Sequence, residues 1–465
     1  MPRQIMSRRL FLGQMLASVV TLPARGDTYA QQGGFHILEA REGKQQLLPD
    51  AAPPNAIWGF EGRVPGPLLR FKKGEEVKIR LVNKLPQPMS HNWHGVRIAN
   101  PMDGVAGLTQ EPVPPGGSFD YRFTPPDGGL FWYHSHTLPF LGEQVTRGLY
   151  GAMIVDEAEP PFADCDLVAV VGDWPPGEKD PSEKYFSAFA AARTGAPCPL
   201  VTASANSLPA SLMLPPSSRL RLRMIYAAQA EIAAAAFAGV TPMVLAIDSQ
   251  PCEAFEPAKN QLPLGPGARF DLMFDLPSAA DAGAGLRLIG GTGEDQVLLA
   301  LKTAGEKRAP LPPIDSLPQN PLLPSEIRLE SARRFNISIE TRTSPGGSTN
   351  SAPEQGQTTC FKLNGKLFEG FTPPPMFSVK RGTPVSLGFS NGTDTVQAIH
   401  VHGHTMRLLH DLDDGWEPYW RDTILIAPGK TKHVAFVADN PGKWMIEGFT
   451  AASHTKGRAS WFEVR

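Results

Sequence analysis

The chain has 465 residues, too many for one hydrophobic core and enough for two or three domains. A formal net charge of −2 and an isoelectric point near 6.6 give no basis for binding nucleic acid or an anionic membrane surface. Proline at 47 residues and glycine at 45 break the chain into short apolar runs, which predicts an all-β sandwich architecture.

The N-terminus reads Ser7-Arg8-Arg9-Leu10-Phe11-Leu12-Gly13, followed by an apolar stretch to Leu22. A twin-arginine pair before a short apolar segment is an export address, and residues 1–30 read as a signal peptide cleaved after Gly26 or Ala30. The run is far shorter than the ~20 residues that span a bilayer. The mature protein is therefore expected in the bacterial periplasm, without a membrane span.

Beyond the signal the chain repeats itself. Val64-Pro65-Gly66-Pro67 leads into Lys73–Leu81, whose alternating apolar residues predict a half-buried strand. Lys380–Leu387 plays the same part near the end. The spacing agrees: His94 follows Gly74 by 20 residues, and His402 follows Gly382 by 20. A middle copy, without histidines, runs through Arg219-Leu220-Arg221-Leu222-Arg223, Ala246-Ile247-Asp248 and Gly265–Arg269. Domains are accordingly placed at 33–157, 160–305 and 328–465. The proline-rich stretch from Ala309 to Pro324 reads as a semi-extended linker, and Thr343–Gln357 as a polar loop. The alanine-rich stretches Phe186–Ala192 and Ala227–Ala238 read as short helices or helical turns.

Cys165, Cys198, Cys252 and Cys360 are scattered without metal-ligand spacing. An oxidising compartment permits a disulfide, and the three full pairings remain open. The histidines are more informative. His134 and His136, in Trp132-Tyr133-His134-Ser135-His136, are two residues apart, as are His400 and His402 in His400-Val401-His402-Gly403-His404. On strands, that spacing puts each pair on one face, so two strands could aim four imidazoles into one crevice. Imidazole suits copper, zinc or iron.

These motifs, with Asn92-Trp93-His94-Gly95 and Trp444-Met445-Ile446-Glu447-Gly448-Phe449, resemble those of the multicopper oxidases over nearly the whole mature chain. The resemblance implies three consecutive cupredoxin-like Greek-key β-sandwich domains, with copper between the first and third. It also exposes departures. Asn92 stands where the family has a type 2 copper histidine, and the neighbouring His91 would point to the opposite face unless a bulge intervenes. Gln397, Gly448, Ser453 and Arg458 stand where the type 1 copper ligands belong, and His454 lies one residue beyond. Glu447 and Phe449 replace the two outer histidines of the family's last motif.

Carried over residue by residue, the remaining metal ligands are His94, His134, His136, His400, His402 and Glu447. His136 and His402 are grouped with Glu447, His94 with His134, and His400 with the position of Asn92. Glu447 either completes a mononuclear set or pairs with a base such as Lys443. Asp103, in Met102-Asp103-Gly104, is either the family's outer-shell acid, orienting imidazoles and accepting protons, or a turn residue. The expectation is an exported protein without a type 1 site or ordinary laccase activity, binding one or two ions, copper before zinc or iron. The competing expectation is a metal-free scaffold with an envelope or divisome protein partner, as in copper-free family members that support cell division. A monomer is expected in either case.

Overall fold

Val77, Ile79 and Leu81 face inward from the strand Val77–Asn83, while Lys78, Arg80 and Val82 remain half-buried on its other side. Strands of this kind dominate the computed structural model. It describes residues 31–465 except 48–53, 139, 175–184, 193–199, 202–209, 229–231, 291–294, 343–359, 369, 411–414 and 450–458. The export segment and the Thr343–Gln357 loop lie outside the described residues. No described helix is long and apolar enough to cross a membrane.

The described strands form six sheets that pair off along the chain, two from residues 31–156, two from 165–303 and two from 333–464. Each pair holds the same three-strand nucleus, in which a first strand runs parallel to a second and the second antiparallel to a third. It is built by Phe35–Gln45, Val77–Asn83 and Ser118–Phe123; by Cys165–Trp174, Arg219–Tyr226 and Arg269–Asp275; and by Arg333–Arg342, Thr383–Asn391 and Thr431–Ala438. The repeat read from the motifs is thus a repeat of topology. The fold is all-β, in cupredoxin-like sandwiches.

Two local expectations are corrected. The alanine-rich stretches are strands: Tyr185–Ala192 pairs with Cys165–Trp174, and Ala233–Ala238 lies between Gln261–Leu264 and Gly283–Ile289. Helix propensity is a weak prior even for alanine, and strand pairing overrides it, on one edge of Tyr185–Ala192 and on both edges of Ala233–Ala238, where Ala233, Ala235 and Phe237 are buried. Among the cysteines, Cys165 is disulfide-bonded, whereas Cys252 is a buried free thiol, so the four do not form two bridges.

The apolar cores of the first and last sheet pairs run together, from Leu38 and Trp93 through Ile399 and Trp444 to Phe462. The middle pair keeps its own core. It is clasped to the first by charge: Arg221, buried on Arg219–Tyr226, bonds Asp271 in its own sheet and Glu157 just past the first pair.

Candidate metal centre

Six strands build the site: β1 (His91–His94), β2 (Gly129–Ser135), β3 (Arg269–Asp275), β4 (Gln397–Val401), β5 (Thr423–Ile426) and β6 (Gly442–Phe449). β1 and β2 pair antiparallel without a register shift, Asn92 opposite His134 and His94 opposite Trp132. β4 lies between β5 and β6, so His400 faces Thr423 on one side and Glu447 on the other. His136 and His402 sit just past the ends of β2 and β4.

Strand alternation sends His91 to the opposite face, as the spacing predicts. Its buried ring stacks on Tyr133 at 5.1 Å and lies 4.2 Å from Trp93, inside the first core.

The other face gathers the predicted ligands. His136 Nε2 and His402 Nε2 each lie 3.0 Å from the same oxygen, Oε1 of Glu447. The two rings are nearly perpendicular, at 80°, so their in-plane lone pairs can converge on one point. Behind them Asp103 accepts from His402 Nδ1 at 3.0 Å. Asn92 Nδ2 in turn donates to the backbone oxygen of Asp103 at 2.7 Å and to its Oδ1 at 3.2 Å. Asp103 is therefore an orienting acid as well as a turn residue, and Glu447 is bound to imidazoles rather than to Lys443, whose ammonium lies over Trp461. All five groups are buried.

Their charges are strongly coupled. Burial opposes a charge on His402, but the Asp103 and Glu447 carboxylates outweigh it and raise the imidazole to about 10. Burial likewise opposes ionisation of Glu447, and His136 with His402 holds it well below the usual carboxylate range. In this structure Glu447 Oε1 accepts from both imidazoles. A tetrahedral ion with bonds of about 2.1 Å separates its ligands by about 3.4 Å, so it would open these contacts by a few tenths of an ångström.

The remaining histidines form a second group. His94 Nδ1 and His134 Nε2 face each other at 3.4 Å. His134 donates through Nδ1 to the Ser135 carbonyl at 2.9 Å, which leaves a lone pair on Nε2. Burial drives His134 down to about 3 and His94 well below its ordinary value, His136 and His400 adding to the respective shifts. Two buried neutral imidazoles at that separation match the ligand spacing of one tetrahedral ion.

His400 stacks on His94 at 3.8 Å and 20° and turns Nδ1 to the Asp422 carbonyl at 3.0 Å. His94, His400 and Asp422 are close enough to suggest an ion of their own. Near-parallel rings cannot aim in-plane lone pairs at a common point, so this trio is a hydrogen-bonded group.

Of the positions assigned to a type 1 site, Gln397 and Gly448 lie among the described residues. Gln397 is buried and donates to the Thr393 and Thr395 hydroxyls at 2.9 Å, and Gly448 pairs with Ile399. Ser453, His454 and Arg458 lie outside the described residues, as does the Phe449 side chain. Sequence reasoning missed Asp422 and Thr423, Asp248, whose Oδ2 accepts from the backbone N–H of both at 3.2 and 3.3 Å, and Arg269, whose guanidinium bonds the Asp422 carboxylate. The available signal was a charged pair, Arg421-Asp422, inside the apolar run Tyr419–Ile426, where a buried charge needs a partner.

Sequence profiles described as "Multicopper oxidase" match residues 42–160 and 341–464, the first and last sheet pairs. Multicopper oxidase MmcO of Mycobacterium tuberculosis is 26% identical over 95% of this chain and 93% of its own length. A copper resistance protein A homolog of Pseudomonas syringae pv. tomato is 39% identical, over 38% of this chain and 31% of its own. The crystal structure of Lac15 from a marine microbial metagenome superposes with a TM-score of 0.72 at 30% identity, covering 92% of this chain and 99% of Lac15. With this fold, these profiles and full-length relatives at that identity, the chain belongs to the multicopper oxidase family.

Proposed function

We propose that this protein is an exported, periplasmic member of the family that binds copper at a residual site between its first and last sheet pairs and has no type 1 copper. The observation that carries the reading is the convergence of His136, His402 and Glu447, from opposite ends of the chain, on one buried point. The first ion would be held by these three residues and oriented through Asp103; a second would be held by His94 and His134 beside His400. Bound copper supplies redox and Lewis-acid chemistry. The protein supplies imidazoles, of which His402 must release its Nε2 proton to ligate, a carboxylate, and walls that keep water out.

Gln397 and Gly448 offer neither thiolate nor imidazole, so single electrons have no blue-copper centre through which to arrive. Ordinary laccase turnover is therefore not expected.

Titration of the purified protein with Cu(II), without chelators, tests the reading. It should bind one or two equivalents, and His402→Ala or Glu447→Gln should abolish the tighter phase while His410→Ala does not. Absence of any binding tighter than micromolar would sink it.

The metal-free alternative, a scaffold for an envelope or divisome protein, is favoured by one observation. His402 between Asp103 and Glu447 is already a compensated ion triad, so the folded state does not require a metal. Capture of a cell-division partner by protein that binds no copper would support it.

A further inference from the structure

The middle sheet pair contributes none of the family ligands, yet one of its turns touches both halves of the centre. Met243–Ile247 and Gln250–Phe255 form a hairpin whose loop is only Asp248 and Ser249, with Ile247 paired to Gln250. Its φ angles are positive at both loop positions, +46° at Asp248 and +72° at Ser249. Asparagine and glycine meet that demand with least strain, and such tips ordinarily lie at the surface. Here Asp248, Ser249 and Gln250 are all buried.

Each of the three addresses a different part of the molecule. Asp248 Oδ2 accepts from the backbone N–H groups of Asp422 and Thr423, where β5 begins in the last sheet pair. Its Oδ1 accepts from the N–H of Arg269, on β3 of its own pair, at 3.1 Å. Ser249 Oγ donates to the Leu130 carbonyl on β2, in the first sheet pair. The approach there is so close that a Cβ on Gly129 would lie 2.6 Å from the Ser249 carbonyl oxygen. Gln250 Oε1 accepts from Asn320 at 2.9 Å, and Asn320 also donates to Asp127, just before β2, at 2.7 Å.

The two strands that the turn touches carry or align the ligands. β2 holds His134 and leads to His136. β5 lies against β4, with Thr423 opposite His400, and β4 leads to His402. A buried turn bonded to both therefore sets how far His136 stands from His402 and Glu447. Metal–ligand distances tolerate errors of only about 0.2 Å, so an ion held from both sheet pairs feels that spacing directly. His94 and His134 both belong to the first pair, and their separation does not depend on it.

We infer that Asp248 and Ser249 are positioning residues: their turn is a spacer, from a ligand-free sheet pair, that sets the gap between the two halves of the metal centre. The inference rests on the residual-site reading for its ion, but not for its gap.

Two measurements on the full chain test this. D248A removes the tie to β5, and S249G removes the hydroxyl tie to β2 while relieving the positive φ. Titration with Cu(II) should show the His136–His402–Glu447 equivalent weakened at least tenfold in each, with the His94–His134 equivalent unchanged. In metal-free protein, nitroxides on a keto amino acid introduced at exposed Lys73 and Lys380 report the gap between the first and last pairs. Their distance distribution should broaden or shift in D248A and S249G. It should stay as in the wild type in L272A, which removes a buried side chain from the middle core. If D248A does not fold, S249G carries both measurements. An unchanged distribution in S249G, the same change in L272A, or a parallel loss of both copper equivalents overturns the inference. A wild type that binds no copper, with the distances changed as expected, would instead defeat the residual-site reading and leave the spacer standing.

Discussion

Glu447 Oε1 stands 3.0 Å from His136 Nε2, although 311 residues separate them in the chain. Neither residue can be changed alone without leaving a buried polar partner behind. Removing one member of a buried ion pair typically costs about 3–5 kcal/mol. Glu447→Ala should therefore lower the denaturant midpoint of metal-free protein markedly. Substitution of exposed His433 should leave the midpoint within experimental error.

A second expectation concerns colour. With copper bound only by imidazoles and a carboxylate, the protein should lack the intense blue absorption that a copper thiolate produces. Visible spectra of the copper-loaded protein, and assays with a phenol or diamine substrate, check this. A strong blue band that disappears when one of the four cysteines is replaced would overturn it.

The third concerns acid. Burial disfavours the Glu157 carboxylate, but Arg221 and Arg223 outweigh that effect and lower it from 4.5 to about 2. A carboxyl depressed in the folded state adds stability that is present in full above its unfolded value and is lost as pH falls through the folded one. The window is thus about pH 4.5 down to about 2, and the contribution is on the order of 3 kcal/mol. Denaturant midpoints measured across this range should fall in the wild type and flatten in Glu157→Gln.

The fourth concerns metal removal. The ion triad of His402 is compensated without metal, so chelation should shift the melting temperature only slightly. A loss approaching roughly 4 kcal/mol, the linkage expected at ~1,000 times the dissociation constant, would show that the ion itself ties the first and last sheet pairs together.

The sequence made the fold and the ligand group legible for a simple reason. Strand alternation is local, so His134 with His136 and His400 with His402 declare their shared faces, and His91 declares its exclusion, without any tertiary information. What was not legible was long-range pairing. Nothing adjacent to Arg269 or Asp422 marks them as partners, because their bond joins strands 153 residues apart. The alanine-rich stretches failed for a related reason: their conformation is set by the strands they pair with, not by alanine itself. Glu447 lay between these extremes. Its position was marked by the motif, but its choice of imidazoles over Lys443 required the fold.

The register of β6 bears on when the centre can come into being. Ala459–Val464 pairs along it from Gly442 to Glu447 and is synthesised after every ligand. Until that strand has left the ribosome, β6 is paired on one edge only, with β4, and Glu447 stands opposite His400 without a neighbour on its other side. A protein truncated by a few residues before Ala459 would retain every candidate ligand but leave the outer edge of β6, the strand that carries Glu447, without its partner.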